Sequence, residues 1–441
     1  MRLRGAFLGL VGALGIGAAA FAYFSWEPAI PLRATPQQAS PDKTLVARGA
    51  QLAAIGNCQS CHTAERGAPY AGGRPIETPF GTIHATNITP DPDTGIGRWS
   101  EAAFLRAMRE GVRVDGAHLY PAFPYDHFTK VSIADLQAIY AFVMTREPVR
   151  AEAPPNTVPF PLSQRALIAG WKLLYFTAGE FKSDPTLSAQ SNRGAYLVDG
   201  LAHCGACHTP RNGLGAERND HYLSGGDAEG WHAPALNAAS TAPVPWTSDQ
   251  LLAYLRNGFV EPHGVAAGPM RSVVNNLAGA AEPDVEAIAA YVGALVGPPT
   301  AGRAPKAPAP FPHAESQSQS GSRALTTRDA ITSADGAIIY AGACAPCHEA
   351  SGQRFSARGI HLASSKVVTM PDARNLARVT LYGITPPAAS PAAQMPGFAD
   401  VLTNEQIVAL MGYLRRTFSD QAPWSELEAV VRDVRRSASG S

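Results

Sequence analysis

The stretch Cys344-Ala-Pro-Cys347-His348 recurs in kind as Cys58-Gln-Ser-Cys61-His62 and Cys204-Gly-Ala-Cys207-His208, and these three pentapeptides take up all six cysteines of the chain. In a Cys-x-x-Cys-His motif the two thiols can add across the vinyl groups of a haem, and the adjacent imidazole then sits under the iron as its proximal ligand. Two intervening residues let one turn of backbone present both sulfurs to a single porphyrin edge. A zinc site, a structural disulfide and a thioredoxin-type redox pair are the other readings. Zinc would need a second cysteine pair or a distant histidine pair in each domain, and a redox dithiol would need a βαβ pattern; neither is present. The motifs therefore predict three covalently bound haem c groups. Their attachment points are Cys58 and Cys61, Cys204 and Cys207, and Cys344 and Cys347, with His62, His208 and His348 as proximal iron ligands.

Composition agrees with several small modules. The 441 residues suit roughly three domains of ordinary size. Lysine plus arginine number 36 against 36 acidic residues, so no basic footprint argues for nucleic acid. Hydrophobic residues make up 45% and charged residues 16%, with 41 glycines and 37 prolines. That balance fits loop-rich domains whose cores are completed by a cofactor. No cysteine is left for an iron–sulfur cluster, and no Walker or dinucleotide-binding motif stands in a strand-to-helix context.

Working outward from the pentapeptides, short helical patterns precede each one, at Leu45–Leu52, Asn192–Leu197 and Gly336–Tyr340. A second helix recurs at Ser100–Met108 and Ser248–Leu255, near Trp99 and Trp246, which read as packing residues. A terminal helix recurs three times, at Asp135–Val143, Asp284–Val292 and Glu405–Leu414, with apolar residues at three- and four-residue intervals. Ser132 and Thr403 read as N-caps. Asn87-Ile-Thr-Pro-Asp91-Pro-Asp93-Thr-Gly95 reads as a Pro/Asp turn, with calcium binding as the lesser alternative.

An N-terminal helix carrying the haem motif, with a C-terminal helix packed across it, resembles the class I cytochrome c domain. The expected fold is all-α: three tandem domains of this type, at 43–150, 188–298 and 330–420, with an N-terminal transmembrane helix. A Pro-rich tether covers 27–42 and a linker covers 151–187, with a helix at Gln164–Phe176. A flexible linker at 299–329 would let the third module swing, and a tail at 421–441 is expected to fray or bind a partner. Arg2 and Arg4 precede an uncharged run from Gly5 to Trp26, about long enough to span a bilayer. An uncleaved anchor in a bacterial inner membrane, with the body facing the periplasm, is the preferred reading. A signal peptide cleaved near Ala18-Ala19-Ala20 is the alternative.

The sixth iron ligand decides what each haem can do. Met395 stands in Gln394-Met-Pro-Gly-Phe398 and Met270 in Gly268-Pro-Met-Arg271, both in Gly/Pro surroundings just before a terminal helix. Those are the expected distal ligands of the third and second haems. The first module breaks the pattern, with Phe123 at the ligand position of Leu119-Tyr-Pro-Ala-Phe-Pro-Tyr-Asp-His-Phe128. His127 is the preferred replacement, His118 and Met108 are weaker, and a five-coordinate haem is the alternative.

The three-module arrangement is similar to the tri-haem cytochrome c subunits of membrane-bound periplasmic dehydrogenases. Tyr120–Thr129, Gly170–Leu174, His203–Asn212 and Glu229–Leu236 resemble most the branch that accompanies molybdenum hydroxylases of the xanthine oxidase type, such as nicotinate, isoquinoline and aldehyde dehydrogenases. That resemblance implies a molybdopterin large subunit and a [2Fe–2S] small subunit as partners, with ubiquinone or a terminal oxidase as acceptor. It also implies a chain that relays electrons without a substrate-oxidising site of its own. The alternatives are the cytochrome subunit of a pyrroloquinoline quinone alcohol dehydrogenase or flavin gluconate dehydrogenase, or a stand-alone haem peroxidase or carrier.

Overall fold

Each of the recurring apolar patterns forms a helix, and short hairpins lie between them. The computed structural model describes residues 15–17, 19–36, 42–297, 335–349 and 362–438. It divides into two units, 1–206 with 211–218, and 207–210 with 219–441.

In the first unit, α1 (Lys43–Ile55) begins at Asp42, whose carboxylate accepts from the Thr44 and Leu45 N–H groups at 2.9 and 3.1 Å. α2 (Glu101–Glu110) is capped by Ser100 and α3 (Ile133–Val143) by the expected Ser132, whose hydroxyl accepts from the Asp135 N–H at 3.2 Å. These caps satisfy N–H groups that a first helical turn leaves unpaired. α1 and α3 cross at Gly49, where a Cβ would lie 1.9 Å from the Ala138 carbonyl oxygen. Leu52, Ile55, Leu136 and Ile139 fill the core around that crossing. The hairpin β1–β2 (Pro75–Thr78 with Gly81–His84) lies between α1 and α2 in sequence. The linker helix is α4 (Leu167–Tyr175), and Trp171 and Phe176 meet the buried Tyr125 ring edge-on at 6.3 and 5.4 Å. α5 (Ala189–Tyr196) runs on through a π-helical turn at Leu197–Leu201.

The second unit holds the hairpins β3–β4 (Gly226–Ala228, Trp231–Ala233) and β5–β6 (Phe259–Val260, Gly264–Val265). Its helices are α6 (Ser248–Asn257), α7 (Pro269–Leu277), α8 (Glu282–Val296), α9 (Arg374–Tyr382), α10 (Asn404–Phe418) and α11 (Leu427–Ala438). Thr403 forms a full capping box with Gln406 at the start of α10. Tyr340, Leu376, Leu381, Ile407, Leu410 and Leu414 form one core with Leu427, Val431 and Val434 of α11.

Several expectations change. The fold is not wholly α, because three two-stranded antiparallel hairpins interrupt it. Among the described residues no helix is long and apolar enough to cross a membrane. The apolar N-terminal run is helical at 15–17 and 19–25, and its residues 5–14 and 18 lie outside the described residues. The expected transmembrane helix, and with it the anchored, periplasm-facing placement, is corrected accordingly. The proposed tether is pinned at its N-terminal end: Ile30 N–H donates to the Val114 carbonyl at 2.8 Å, Arg33 N–H to Arg98 at 2.9 Å, and Arg106 to Pro28 at 2.6 Å. The tail forms α11, whose apolar face is buried, instead of fraying. The linker at 299–329 lies outside the described residues. The second and third modules nonetheless bond to each other within their unit, Asn375 exchanging bonds of 2.9 and 2.7 Å with the His232 backbone and Arg378 donating to the Gly230 carbonyl at 2.7 Å.

Candidate functional site

No disulfide joins any of the six cysteines. Cys58–Cys61 forms one helical turn entered through Asn57 in the left-handed region, and His62 N–H closes it on the Cys58 carbonyl at 3.0 Å. Burial, reinforced by Cys61, pushes the Cys58 thiol up to about 12, and burial likewise raises Cys344 to about 11.

The proximal imidazoles are held in the same way in two modules. His62 Nδ1 lies 2.6 Å from the Thr86 carbonyl oxygen, and His208 Nδ1 lies 2.6 Å from that of Pro234. In each case the carbonyl follows the second strand of a hairpin, β2 or β4. A carbonyl can only accept, so Nδ1 carries the hydrogen and Nε2 keeps its lone pair, as an iron ligand requires. Burial pushes His208 down to about 4 and lowers His62, so both rings stay neutral. The approach is tight: at Gly72, with φ +78°, a Cβ would sit 2.5 Å from the Asn87 nitrogen. The residues therefore fit haem c. His348 ends the helical turn Ala345–His348, and residues 350–361 after it lie outside the described residues.

The three expected distal positions stand at one sequence spacing from a positive-φ glycine. Gly111, Gly258 and Gly383 follow α2, α6 and α9 with φ of 63°, 71° and 72°. The chain then forms a short bridge in each case, Val112 with His118, Phe259 with Val265 and Ile384 with Met395. Residue numbers 111, 258 and 383 plus twelve give Phe123, Met270 and Met395. Met395 sits in a loop, as expected. Met270 instead lies in the first turn of α7, because Pro269 starts a helix there.

His127 is buried, with Nδ1 2.9 Å from the Asp199 carbonyl oxygen and Nε2 2.8 Å from Glu217 Oε1. Both partners are acceptors, so both nitrogens carry hydrogen and neither offers a lone pair. Burial pulls His127 down, but the hydrogen bond and charge of Glu217, joined by Asp126, outweigh it and raise the imidazole. Arg211 lies 3.6 Å from the same Glu217 oxygen. His118 is committed as well, its Nε2 3.0 Å from the Ser25 carbonyl and its Nδ1 3.0 Å from Lys172 Nζ. Met108 is buried on α2, three residues before Gly111. Asp91 Oδ1 accepts from the Asp93 and Thr94 N–H groups at 3.1 and 2.7 Å, the bonding of a turn. The sequence carried no signal for Glu217, Asp199, Thr86 or Pro234, since none belongs to a motif.

The cytochrome c family model matches residues 46–147, and that of cytochrome c oxidase, cbb3-type, subunit III matches residues 332–414. The chain is 46% identical to a nicotinate dehydrogenase subunit of Pseudomonas putida, over 98% of its own length but 35% of that protein's. It is 35% identical to the fructose dehydrogenase cytochrome subunit of Gluconobacter japonicus, covering 90% of this chain and 84% of that one. It is also 37% identical to the gluconate 2-dehydrogenase cytochrome c subunit of Pantoea cypripedii, covering 89% and 90%. With relatives of 35 and 37% identity matched over 84 and 90% of their length, the chain belongs to the family of cytochrome c subunits of dehydrogenases, electron carriers whose domains hold haem c covalently.

Proposed function

We propose that this chain holds three haem c groups and relays electrons from a catalytic dehydrogenase partner to ubiquinone or a terminal oxidase. The observation that carries the reading is the threefold register of Cys-x-x-Cys-His, positive-φ glycine and distal position twelve residues on. Cys58, Cys61, Cys204, Cys207, Cys344 and Cys347 are the attachment residues, and His62, His208 and His348 the proximal ligands. Met270 and Met395 supply thioethers to the second and third haems. Bound haem supplies the one-electron couple. The chain sets its potential: the Thr86 and Pro234 carbonyls orient the imidazoles, and thioether ligation raises the potential.

The partner proposed is a molybdopterin subunit with a [2Fe–2S] subunit, because the relative at 46% identity is named for nicotinate dehydrogenase while the fructose and gluconate dehydrogenase relatives stand at 35 and 37%. Purification through this chain, with mass spectrometry and metal analysis of what accompanies it, tests the assignment. Three haem masses on the chain and a molybdenum-containing partner are expected. A quinoprotein or flavoprotein partner would move the chain to the alcohol or gluconate branch, and fewer haems would overturn the count.

A further inference from the structure

We infer that none of the described residues supplies a sixth ligand to the first haem, which leaves that iron a binding site for a small neutral diatomic such as carbon monoxide or nitric oxide. The inference rests on haem being attached at Cys58 and Cys61. Phe123 occupies the position that Met270 and Met395 hold in the other modules, twelve residues beyond a positive-φ glycine, and a phenyl ring has no donor atom. The two histidines that flank Phe123 in sequence are committed elsewhere. His127 donates from both ring nitrogens, to Asp199 and Glu217, and His118 bonds Ser25 and Lys172 through both of its own. Met108 is buried before Gly111, and Met144 caps the C-terminal end of α3. His84 lies on β2, two residues before the carbonyl that already holds the proximal ring; its buried Nδ1 has no hydrogen-bond partner, which makes it the competing donor that the His84→Gln variant tests.

The class of ligand follows from the surroundings. Phe123 and Phe128 lie 5.3 Å apart, and Phe128 meets the His203 ring edge-on at 5.5 Å. The phenyl ring of Phe123 offers an anion no partner, and an anion bound there would lose its hydration uncompensated. The imidazole nearest in sequence, His127, is locked in an ion pair with Glu217 and cannot serve as the acid–base group that peroxide cleavage would need. Binding of a neutral ligand is therefore expected, and peroxide turnover is not.

The test uses the full chain matured with haem. Mass spectrometry of the peptide containing Cys58 and Cys61 first establishes attachment there; an unmodified peptide overturns both the haem assignment of this module and the inference. The dithionite-reduced protein is then titrated with carbon monoxide and followed in the Soret band. One equivalent per chain is expected, falling to none in Phe123→Met as the thioether fills the position, and staying at one in His127→Gln and His84→Gln. No binding by the wild-type chain, or binding that first appears in either histidine variant, would overturn the inference.

Discussion

Replacing Gly49 by alanine drives a methyl group into the crossing of α1 and α3. The added carbon would lie 1.9 Å from the Ala138 oxygen, 2.5 Å from its carbonyl carbon and 2.8 Å from Phe142 Cβ. Ordinary carbon–oxygen contact begins above roughly 3 Å, so the helices must part by more than 1 Å, and two of the three obstacles are backbone that cannot rotate away. Alanine would otherwise gain up to about 1 kcal/mol in helix propensity over glycine. Overpacking costs about 1–3 kcal/mol where side chains can yield and more where they cannot. The net expectation is a loss of about 3 kcal/mol from the first module, with Leu52 and Ile139 losing their packing. Urea unfolding of the haem-loaded chain, followed by circular dichroism and by the Soret band, measures it. Gly213→Ala is the control, because nothing lies within 4 Å of a Cβ there. A Gly49→Ala midpoint matching the control would refute the close crossing as the element that holds this module together.

The buried His127–Glu217 pair gives a pH dependence. His127 is raised from 6.5, so its contribution is complete below about pH 6.5 and is lost as pH rises through the folded value. Glu217 is lowered from 4.5, so its contribution is complete above about pH 4.5 and is lost as pH falls through the folded value. Stability from the pair is therefore greatest between these limits, and Glu217→Gln should lower the unfolding midpoint most in that window, by roughly 3 kcal/mol for a broken buried pair; an equal loss at pH 5.5 and pH 9 would contradict this. Met270→Ala and Met395→Ala should each add one carbon monoxide equivalent per chain and lower the potential of one haem in a redox titration; unchanged spectra would remove that methionine from the iron. Truncation after Trp424 removes Leu427, Val431 and Val434 from the third core. With burial of each such side chain worth about 1.5–3 kcal/mol, the third module should unfold at clearly lower urea, and an unchanged midpoint would show α11 to be dispensable.

Much of the site is legible because it rests on neighbouring residues. The Cys-x-x-Cys-His turns need one turn of backbone, and the Ser132 and Thr403 caps bond groups three residues away. Phe123 can be placed by its position twelve residues beyond a positive-φ glycine, the spacing at which Met270 and Met395 stand in the other modules. Met270 reads as a loop residue because its flanking glycine and proline suggest one, yet proline is also a good first helical residue, and α7 starts there. The N-terminal run reads as a span on apolarity alone, whereas among the described residues no helix is long and apolar enough to cross a membrane.

The covalent haem motifs, the caps, the recurring helices and the odd residue at position 123 follow from the sequence by itself, because bond formation, helix initiation and apolar periodicity act over a few residues. Only the tertiary structure decided the state of His127. Its partners Asp199 and Glu217 lie 72 and 90 residues away, and whether a buried imidazole keeps a lone pair for iron depends on which acceptors the fold brings to its two nitrogens.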